Sequence, residues 1–383
     1  MANQAARNQD REMMEVDRVG VKIDYRTVSQ RFSCQDPQTL ADGLRHLEQH
    51  GYTVISDVLD ESEVNIAKNL IWQHLEGLKS PYKIKRGQIQ TWNQWPGRHE
   101  AGIVEDFGSG NSQAQWFVRS VPAVKDVFAE IWQTRDLLCS MDGIGIFRPW
   151  HLNPQIQRKN NKFIMLFLHL TIKFMTILFP FLHIIGRDIE NNTNPWKTVG
   201  ANWHVDQSPV TKPDRVCVQG IINLLPADET TGGLMVIPGS HNRFHELLSI
   251  WKKMGNNSKI PLYHEILQEG YGLLIHAQPG DLLLWDSRTV HCNTPSFVTP
   301  RQQPLNNVPI PSLLRMISYV CMTPLAFAEN PDELINHRLD AFRYRLTTSH
   351  WPHEYQTMGG EISRGENTIE LTDYQRNLIL GVD

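Results

Sequence analysis

Residues 279–291 read PGDLLLWDSRTVH, a turn signal followed by an apolar run and then a histidine. Pro-Gly-Asp marks the turn, and the apolar run at 282–285 is typical of a buried β-strand. Similar short β-type runs lie at 216–225, 234–237 and 315–322, with Gly- and Pro-rich turns between them. Many short strands separated by such turns predict a mainly β fold of the jelly-roll or barrel type.

The first part of the chain has helical patterns on either side of short β-type runs. Residues 40–50 place apolar residues at helical spacing before a glycine, and residues 60–75 open with an acidic turn and keep that spacing. A third helix is predicted over 121–138, and short strands are predicted at 52–55 and 144–147. We therefore expect helices that flank the β core.

The chain divides into a polar N-terminal stretch and one long patterned region. Residues 1–38 are polar and unpatterned, which predicts a mobile N-terminal arm, and we expect residues 39–383 to form a single domain. The apolar run 163–186 does not fit the jelly-roll pattern. We interpret it as part of an insertion near 158–193, because deleting that stretch would join the flanking sequence smoothly. A buried core helix and a membrane segment are the alternatives, although Lys173 near the centre of the run disfavours membrane insertion.

Composition excludes several kinds of protein. The chain has 37 Lys and Arg against 41 Asp and Glu, a net charge of −4, so it lacks the basic character of a nucleic-acid-binding protein. A small anionic ligand would need only one or two well-placed cations. Five cysteines without a CxxC pair argue against a disulfide scaffold or a structural zinc site and favour a reducing compartment. The first 20 residues contain no apolar stretch of a secretory signal, so we predict a cytoplasmic location.

Two histidines and one aspartate are the strongest candidates for a metal site. Trp203-His204-Val205-Asp206 places an imidazole and a carboxylate two residues apart, which on a β-strand puts both on one face. His291 follows the strand at 282–285. Two histidines and one carboxylate form the facial triad that holds non-haem Fe(II) and leaves positions open for a cosubstrate and O₂. We predict that His204, Asp206 and His291 are catalytic metal ligands.

A dicarboxylate cosubstrate that chelates iron at one end needs a fixed cation at the other. Arginine suits this role because it is always charged and binds a carboxylate bidentately. Arg301 lies in a Pro-, Gln- and Asn-rich stretch, whereas Arg315 opens a β-type run. We prefer Arg315, since a strand holds a guanidinium more rigidly than a loop.

Several stretches together resemble the phytanoyl-CoA dioxygenase-like family of Fe(II)/2-oxoglutarate-dependent oxygenases, over residues 40 to 325. The stretches are 50–55 with 59–64, 203–207, 232–241, 279–291 and 315–318. The resemblance implies a double-stranded β-helix (jelly-roll, cupin-like) core, Fe(II) bound by His204, Asp206 and His291, and the cosubstrate 2-oxoglutarate held by Arg315. Arg315 lies further past His291 than the family's arginine does, so 296–312 is interpreted as an insertion.

The same resemblance implies an oxidoreductase, a dioxygenase that hydroxylates a small-molecule or lipid-like substrate with O₂ and releases succinate and CO₂. Asp206 distinguishes the chain from related halogenases, which have a small residue at that position. Two alternatives stay open: a jelly-roll protein that binds a metal or ligand without catalysis, and a membrane-associated member anchored by 163–186.

Three weaker candidates lie near this site in the sequence. Gln219 faces either the cavity or the sheet, and Asp286 is a candidate to orient the imidazole of His291. Arg119 is a candidate to contact an anionic substrate or cosubstrate, but a surface charge at the start of a helix is the preferred interpretation.

Overall fold

The fold is known from a computed structural model that describes most of the chain. The described residues are 15–156, 194–254, 258–298, 312–359 and 366–383. The predicted insertion near 158–193, its apolar run 163–186 and Arg301 lie outside them. Within the described ranges, no helix combines the length and the apolar character that a membrane crossing requires.

Two open sheets form the β core of the described residues. The larger sheet has seven strands, in the spatial order β3 (Phe32–Ser33), β4 (Tyr52–Ser56), β11 (Leu282–Asp286), β8 (Val218–Asn223), β13 (Arg315–Tyr319), β7 (Ile144–Phe147) and β5 (Ile103–Val104). The smaller sheet has five, in the order β1 (Glu15–Val16), β2 (Lys22–Asp24), β10 (Gly272–Leu274), β9 (Gly232–Val236) and β12 (His291–Pro295). A two-stranded ladder pairs β6 (Leu137–Cys139) with β14 (Met322–Pro324).

The apolar run of β11 is continuous because both faces of this strand are buried. Leu283 and Trp285 pack with Leu234 and Val236 of the smaller sheet in one apolar cluster. Leu282 and Leu284, together with other residues of the larger sheet, belong to a second cluster on the outer face. A strand covered on both faces needs apolar residues at every position, not at alternate ones.

Helices cover the outer face of the larger sheet. In the described part of the chain, the α-helices are α1 (Pro37–His50), α2 (Glu61–Glu76), α3 (Gln113–Arg119), α4 (Pro122–Trp132), α5 (Leu248–Met254), α6 (Glu265–Glu269), α7 (Pro331–Arg343) and α8 (Asp373–Leu380). Of these, α5 and α6 pack instead in the apolar cluster of the smaller sheet. Asp60 and Glu63 form a reciprocal capping box at the start of α2, and Gly51 ends α1 in the left-handed conformation. Buried residues of α2 and α4, such as Ile71 and Phe128, pack in the outer cluster. The predicted fold class, mainly β with flanking helices, is confirmed.

Two sequence predictions need correction. The helix predicted over 121–138 ends at Trp132, because Gln133 turns left-handed with φ 54° and the following residues enter β6. The described part of the predicted arm 1–38 is not an arm: β2 pairs in parallel with β10, and Ile23 is 3% exposed. Strands of two or three residues are too short to show an alternating pattern, so the sequence did not reveal them.

Candidate metal centre

Backbone hydrogen bonds join the two segments that carry the predicted ligands. The amide of His204 donates to the carbonyl of His291 at 3.0 Å, and the amide of His291 donates to the carbonyl of His204 at 2.9 Å. This isolated antiparallel bridge fixes the His204 segment against the first residue of β12. A second isolated bridge pairs His204 with Lys259, so the regular strand predicted around His204 and Asp206 is reduced to these two bridges.

The three predicted side chains converge on one point. Nε2 of His204 lies 3.5 Å from Oδ1 of Asp206, and Nε2 of His291 lies 3.2 Å from Oδ2 of Asp206. One ligand atom from each residue fits within 4.8 Å of the others. The geometry therefore suits a single ion held by two imidazoles and one carboxylate.

Backbone carbonyls set the tautomer of both histidines. Nδ1 of His204 contacts the carbonyl of Asn202 at 2.7 Å, and Nδ1 of His291 contacts the carbonyl of Thr289 at 2.9 Å. Since a carbonyl can only accept, each Nδ1 carries the proton, and each Nε2 turns toward Asp206. This is the arrangement found when histidine binds a metal through Nε2. Two imidazole nitrogens and a carboxylate at these distances need a positive charge between them, either a proton or a metal ion.

Burial and neighbouring charges shift the pKa values of His204 and Asp206. Burial lowers the pKa of His204, with a smaller contribution from the neighbouring His291, so the neutral ligand form is favoured. Burial alone would raise the pKa of Asp206, but His291 and His204 outweigh it and hold that pKa well below its usual range. The cluster thus presents an ionised carboxylate.

Gln219 orients the carboxylate of Asp206. It lies on β8 opposite Trp285 of β11, and its side chain lines the same cavity as the three ligands. Its Nε2 donates to Oδ2 of Asp206 at 2.7 Å, which leaves Oδ1 for an ion. Of the two environments that the sequence allowed for Gln219, the structure selects the cavity.

We expect Gln219→Ala to weaken metal binding by about tenfold or more, since removing a partner of a metal ligand costs about 10–100-fold in affinity. Anaerobic Co(II) titration, followed by the absorption of the bound ion, measures the change. Gln278→Ala is the matched control, because Gln278 is exposed and does not line the cavity. Equal affinities in the two variants would contradict this role for Gln219.

Asp286 contacts Arg288 instead of His291. Its carboxylate accepts from Nε of Arg288 at 2.9 Å and from Nη2 at 2.7 Å, and its amide donates to the carbonyl of Gly51. These bonds fix the turn after β11, whose Thr289 carbonyl accepts from His291. Asp286 therefore acts on the histidine through the turn and not by direct contact.

The three ligands open into a cavity of about 600 Å³. Trp285, Ile221 and Leu234 give it an apolar wall, and these residues come from the inner faces of both sheets. The segment 347–350, which follows α7, lines it as well. Most ligand pockets have this combination of apolar walls and a few polar groups.

Arg315 is a buried cation beside this cavity. The residue is 1% exposed, and its Nη1 donates to Oδ1 of Asn293, which lines the cavity. Its guanidinium lies 5.0 Å from the ring centre of Phe147, and burial lowers its pKa. Nε is buried without a hydrogen-bond partner, and no carboxylate of the described residues contributes to the electrostatic environment of Arg315. A buried cation without an anion fits the far carboxylate of a dicarboxylic ligand.

Several residues near the cavity were missed or misread in the sequence. Asn293 lies two residues after His291 on β12, so the alternation of a strand could have indicated it. Asp142 and His350 also line the cavity, but nothing in their local sequence points there. Arg119 is not a surface charge: it is fully buried at the end of α3 and donates to the carbonyls of Gly110 and Asp142.

Comparison with known proteins agrees with this site. Residues 184–295 match the family model described as phytanoyl-CoA dioxygenase (PhyH). The Ava biosynthesis cluster protein O of Aspergillus versicolor is 27% identical over 264 residues, which are 66% of this chain and 67% of that protein.

Two solved structures are also similar to the chain. One is the epimerase SnoN in complex with Fe3+, alpha ketoglutarate and nogalamycin RO, at 14% identity and a TM-score of 0.46, covering 75% of this chain and 84% of that one. The other is AviO1 from Streptomyces viridochromogenes Tue57, at 13% identity and a TM-score of 0.42, covering 75% of this chain and 95% of that one. The family match includes His204, Asp206 and His291. The resemblance to the phytanoyl-CoA dioxygenase-like family that the sequence predicts is thereby confirmed.

Proposed function

We propose that the protein is an Fe(II)- and 2-oxoglutarate-dependent dioxygenase that hydroxylates a small-molecule or lipid-like substrate. His204, Asp206 and His291 would hold Fe(II), and Arg315 would hold the far carboxylate of 2-oxoglutarate. The observation that carries the proposal is the convergence of two Nε2 atoms and a carboxylate beside a buried, unpaired guanidinium. We also propose a cytoplasmic location and no nucleic-acid partner, on the composition of the chain.

With both groups bound, the site would couple O₂ and 2-oxoglutarate to oxidation of a substrate C–H bond, giving the alcohol, succinate and CO₂. The protein's own contribution is to orient the reactants and keep water out. The carbonyls of Asn202 and Thr289 hold the imidazoles in the ligand tautomer. Gln219 holds one oxygen of Asp206, so that carboxylate stays in the position that is vacant in related halogenases.

Two successive measurements test the proposal. Anaerobic addition of Fe(II) and then 2-oxoglutarate should produce a visible absorption band that neither component gives alone. A succinate-release screen across acyl-CoAs and metabolites should then identify compounds that stimulate turnover. Metal binding without any 2-oxoglutarate complex would overturn the proposal, and a 2-oxoglutarate complex without turnover would favour the non-catalytic alternative.

A further inference from the structure

Asp142 carries a carboxyl group of the cavity that lies outside the proposed metal site. Asp142 lies between β6 and β7 and lines the cavity that contains His204 and Asp206. Its Oδ2 is buried and has no hydrogen-bond partner. A buried carboxyl oxygen without a donor is destabilising, so such a group in a cavity calls for an explanation.

The nearest cation does not neutralise this carboxyl group. Nη2 of Arg119 donates at 2.7 Å to the backbone carbonyl of Asp142, and Nη1 donates at 2.6 Å to that of Gly110. Burial raises the pKa of Asp142 to about 7, against the opposing effects of Arg119 and of a hydrogen bond from Ser140. The negative charges of Glu105 and Asp206 raise it further.

The hydrogen bonds of the neighbouring wall of the cavity do not reach Oδ2 of Asp142. Thr348 donates its amide to the carbonyl of Met141 at 2.9 Å, and its hydroxyl accepts from the amide of Met141 at 3.1 Å. The hydroxyl of Thr347 accepts from the amide of Gly110 at 3.2 Å. His350, in the same segment, also lines the cavity and has a buried Nε2 without a partner. Oδ2 of Asp142 and Nε2 of His350 are thus two buried polar atoms that remain for a ligand.

We propose that Asp142 recognises the substrate by accepting a hydrogen bond from a hydroxyl group or a protonated amine. A bound donor would give Oδ2 the partner that the protein does not supply. An unsubstituted hydrocarbon chain would leave it unpaired. The inference rests on the proposed function in one respect, that this cavity is the substrate-binding site. It restricts the substrate class to molecules that carry a hydroxyl group or a protonated amine.

Three probes with the same rigid adamantane cage test the proposal: 1-aminoadamantane, 1-adamantanol and 1-methoxyadamantane, whose ether oxygen cannot donate. Their binding to the anaerobic enzyme with Fe(II) and 2-oxoglutarate is followed by tryptophan fluorescence, since Trp285 lines the cavity. The wild type should bind the amine or the alcohol about tenfold or more tightly than the ether, because a hydrogen bond to a charged group is worth about 1.5–3 kcal/mol. Asp142→Ala should remove the preference for both.

Asp142→Asn separates the two donors, because its amide oxygen accepts from a neutral hydroxyl but carries no charge for an ammonium group. Retained alcohol binding with lost amine binding is the result expected for Asn. Asp136→Asn is the control, since Asp136 is exposed and outside the cavity. Thermal unfolding adds a readout. Because Oδ2 of Asp142 has no donor, and the amide oxygen of Asn can still accept from Ser140, Asp142→Asn should not lower Tm at pH 8, whereas a structural role of Oδ2 would lower it.

Two outcomes overturn the assignment of Asp142. One is equal affinity of the wild type for all three probes, and the other is a wild-type preference that survives in both variants. The affinity for 2-oxoglutarate, measured in the same samples, separates the two proposals. Without 2-oxoglutarate binding in the wild type the proposed function fails, whereas normal 2-oxoglutarate binding without any donor preference removes only the role of Asp142.

Discussion

Alanine at His204, Asp206 or His291 is expected to abolish 2-oxoglutarate turnover while the chain still folds. Each residue supplies one of the three atoms that lie within 4.8 Å of one another, so each substitution leaves an ion with two protein ligands. Because the side chains border a cavity, their removal opens no void in the apolar core. Succinate release should fall to the level of the metal-free protein, and bound iron should fall with it.

The matched control for these variants is His50→Ala. His50 is exposed at the end of α1 and does not line the cavity, so its loss should leave turnover and iron content unchanged. Circular dichroism and thermal unfolding verify that each variant is folded. Near wild-type succinate production by any one of the three ligand variants would show that the triad is wrongly assigned.

The sequence predicts the residues of the candidate metal site, but it does not predict the hydrogen bonds that orient their side chains. The spacing of His204 and Asp206 and the position of His291 after an apolar strand predict the donor set. The partners that set the imidazole tautomers are backbone carbonyls, at Asn202 and Thr289. Any residue has a carbonyl, so no sequence pattern marks one that will accept from a ligand.

The longer strands of the fold can be predicted from runs of apolar residues in the sequence, but the short strands cannot. The apolar run of β11 predicts a buried strand because both of its faces lie in apolar clusters. β2 has three residues, and it joins the sheet through β10, which is distant in the chain, and through the two-residue β1. Such pairing depends on the tertiary fold, which explains why the sequence predicts a mobile arm over residues 1–38.

Contacts between distant parts of the chain also determine which other residues line the cavity, so local sequence does not predict them. Asp142 and His350 both line the cavity because hydrogen bonds join their neighbours Met141 and Thr348, which are 207 residues apart in the sequence. Backbone carbonyls accept from both Nη atoms of the buried Arg119, and this contact has no local signature in the sequence. A charged residue in an ordinary helix is normally exposed, so the sequence favoured the wrong environment.

We expect Arg315, and not Arg301, to hold the far carboxylate of 2-oxoglutarate. Arg315 is fixed at the start of β13, its Nη1 donates to Asn293 at 3.1 Å, and its Nε has no partner. Arg301 lies outside the described residues, in a stretch rich in proline, glutamine and asparagine. The preference for Arg315 made from the sequence therefore gains a physical reason, the unpaired and buried guanidinium.

Arg315→Ala should weaken 2-oxoglutarate binding by roughly 30-fold or more, because losing one partner of a buried charge pair costs about 2–5 kcal/mol and each 1.4 kcal/mol is tenfold. Arg315→Lys should recover only part of the loss, since an ammonium group cannot bind a carboxylate bidentately. Arg301→Ala should change the affinity by only a few-fold, because the proposal assigns the cation to Arg315. Anaerobic titrations of the three variants with 2-oxoglutarate, in the presence of Fe(II), compare them directly.

The 2-oxoglutarate affinities of these variants also test how the chain is organised after His291. A large loss at Arg315 with a small one at Arg301 means that the stretch 296–312 is an insertion between the last metal ligand and the strand that carries the cation. The reverse pattern would place the cation within that stretch and leave the guanidinium of Arg315 as a purely structural group held by Asn293 and Phe147. In that case Arg315→Ala should lower Tm without changing 2-oxoglutarate affinity, because only the packing of β13 would be lost. Measuring Tm and affinity on the same samples therefore distinguishes a ligand-binding arginine from a structural one.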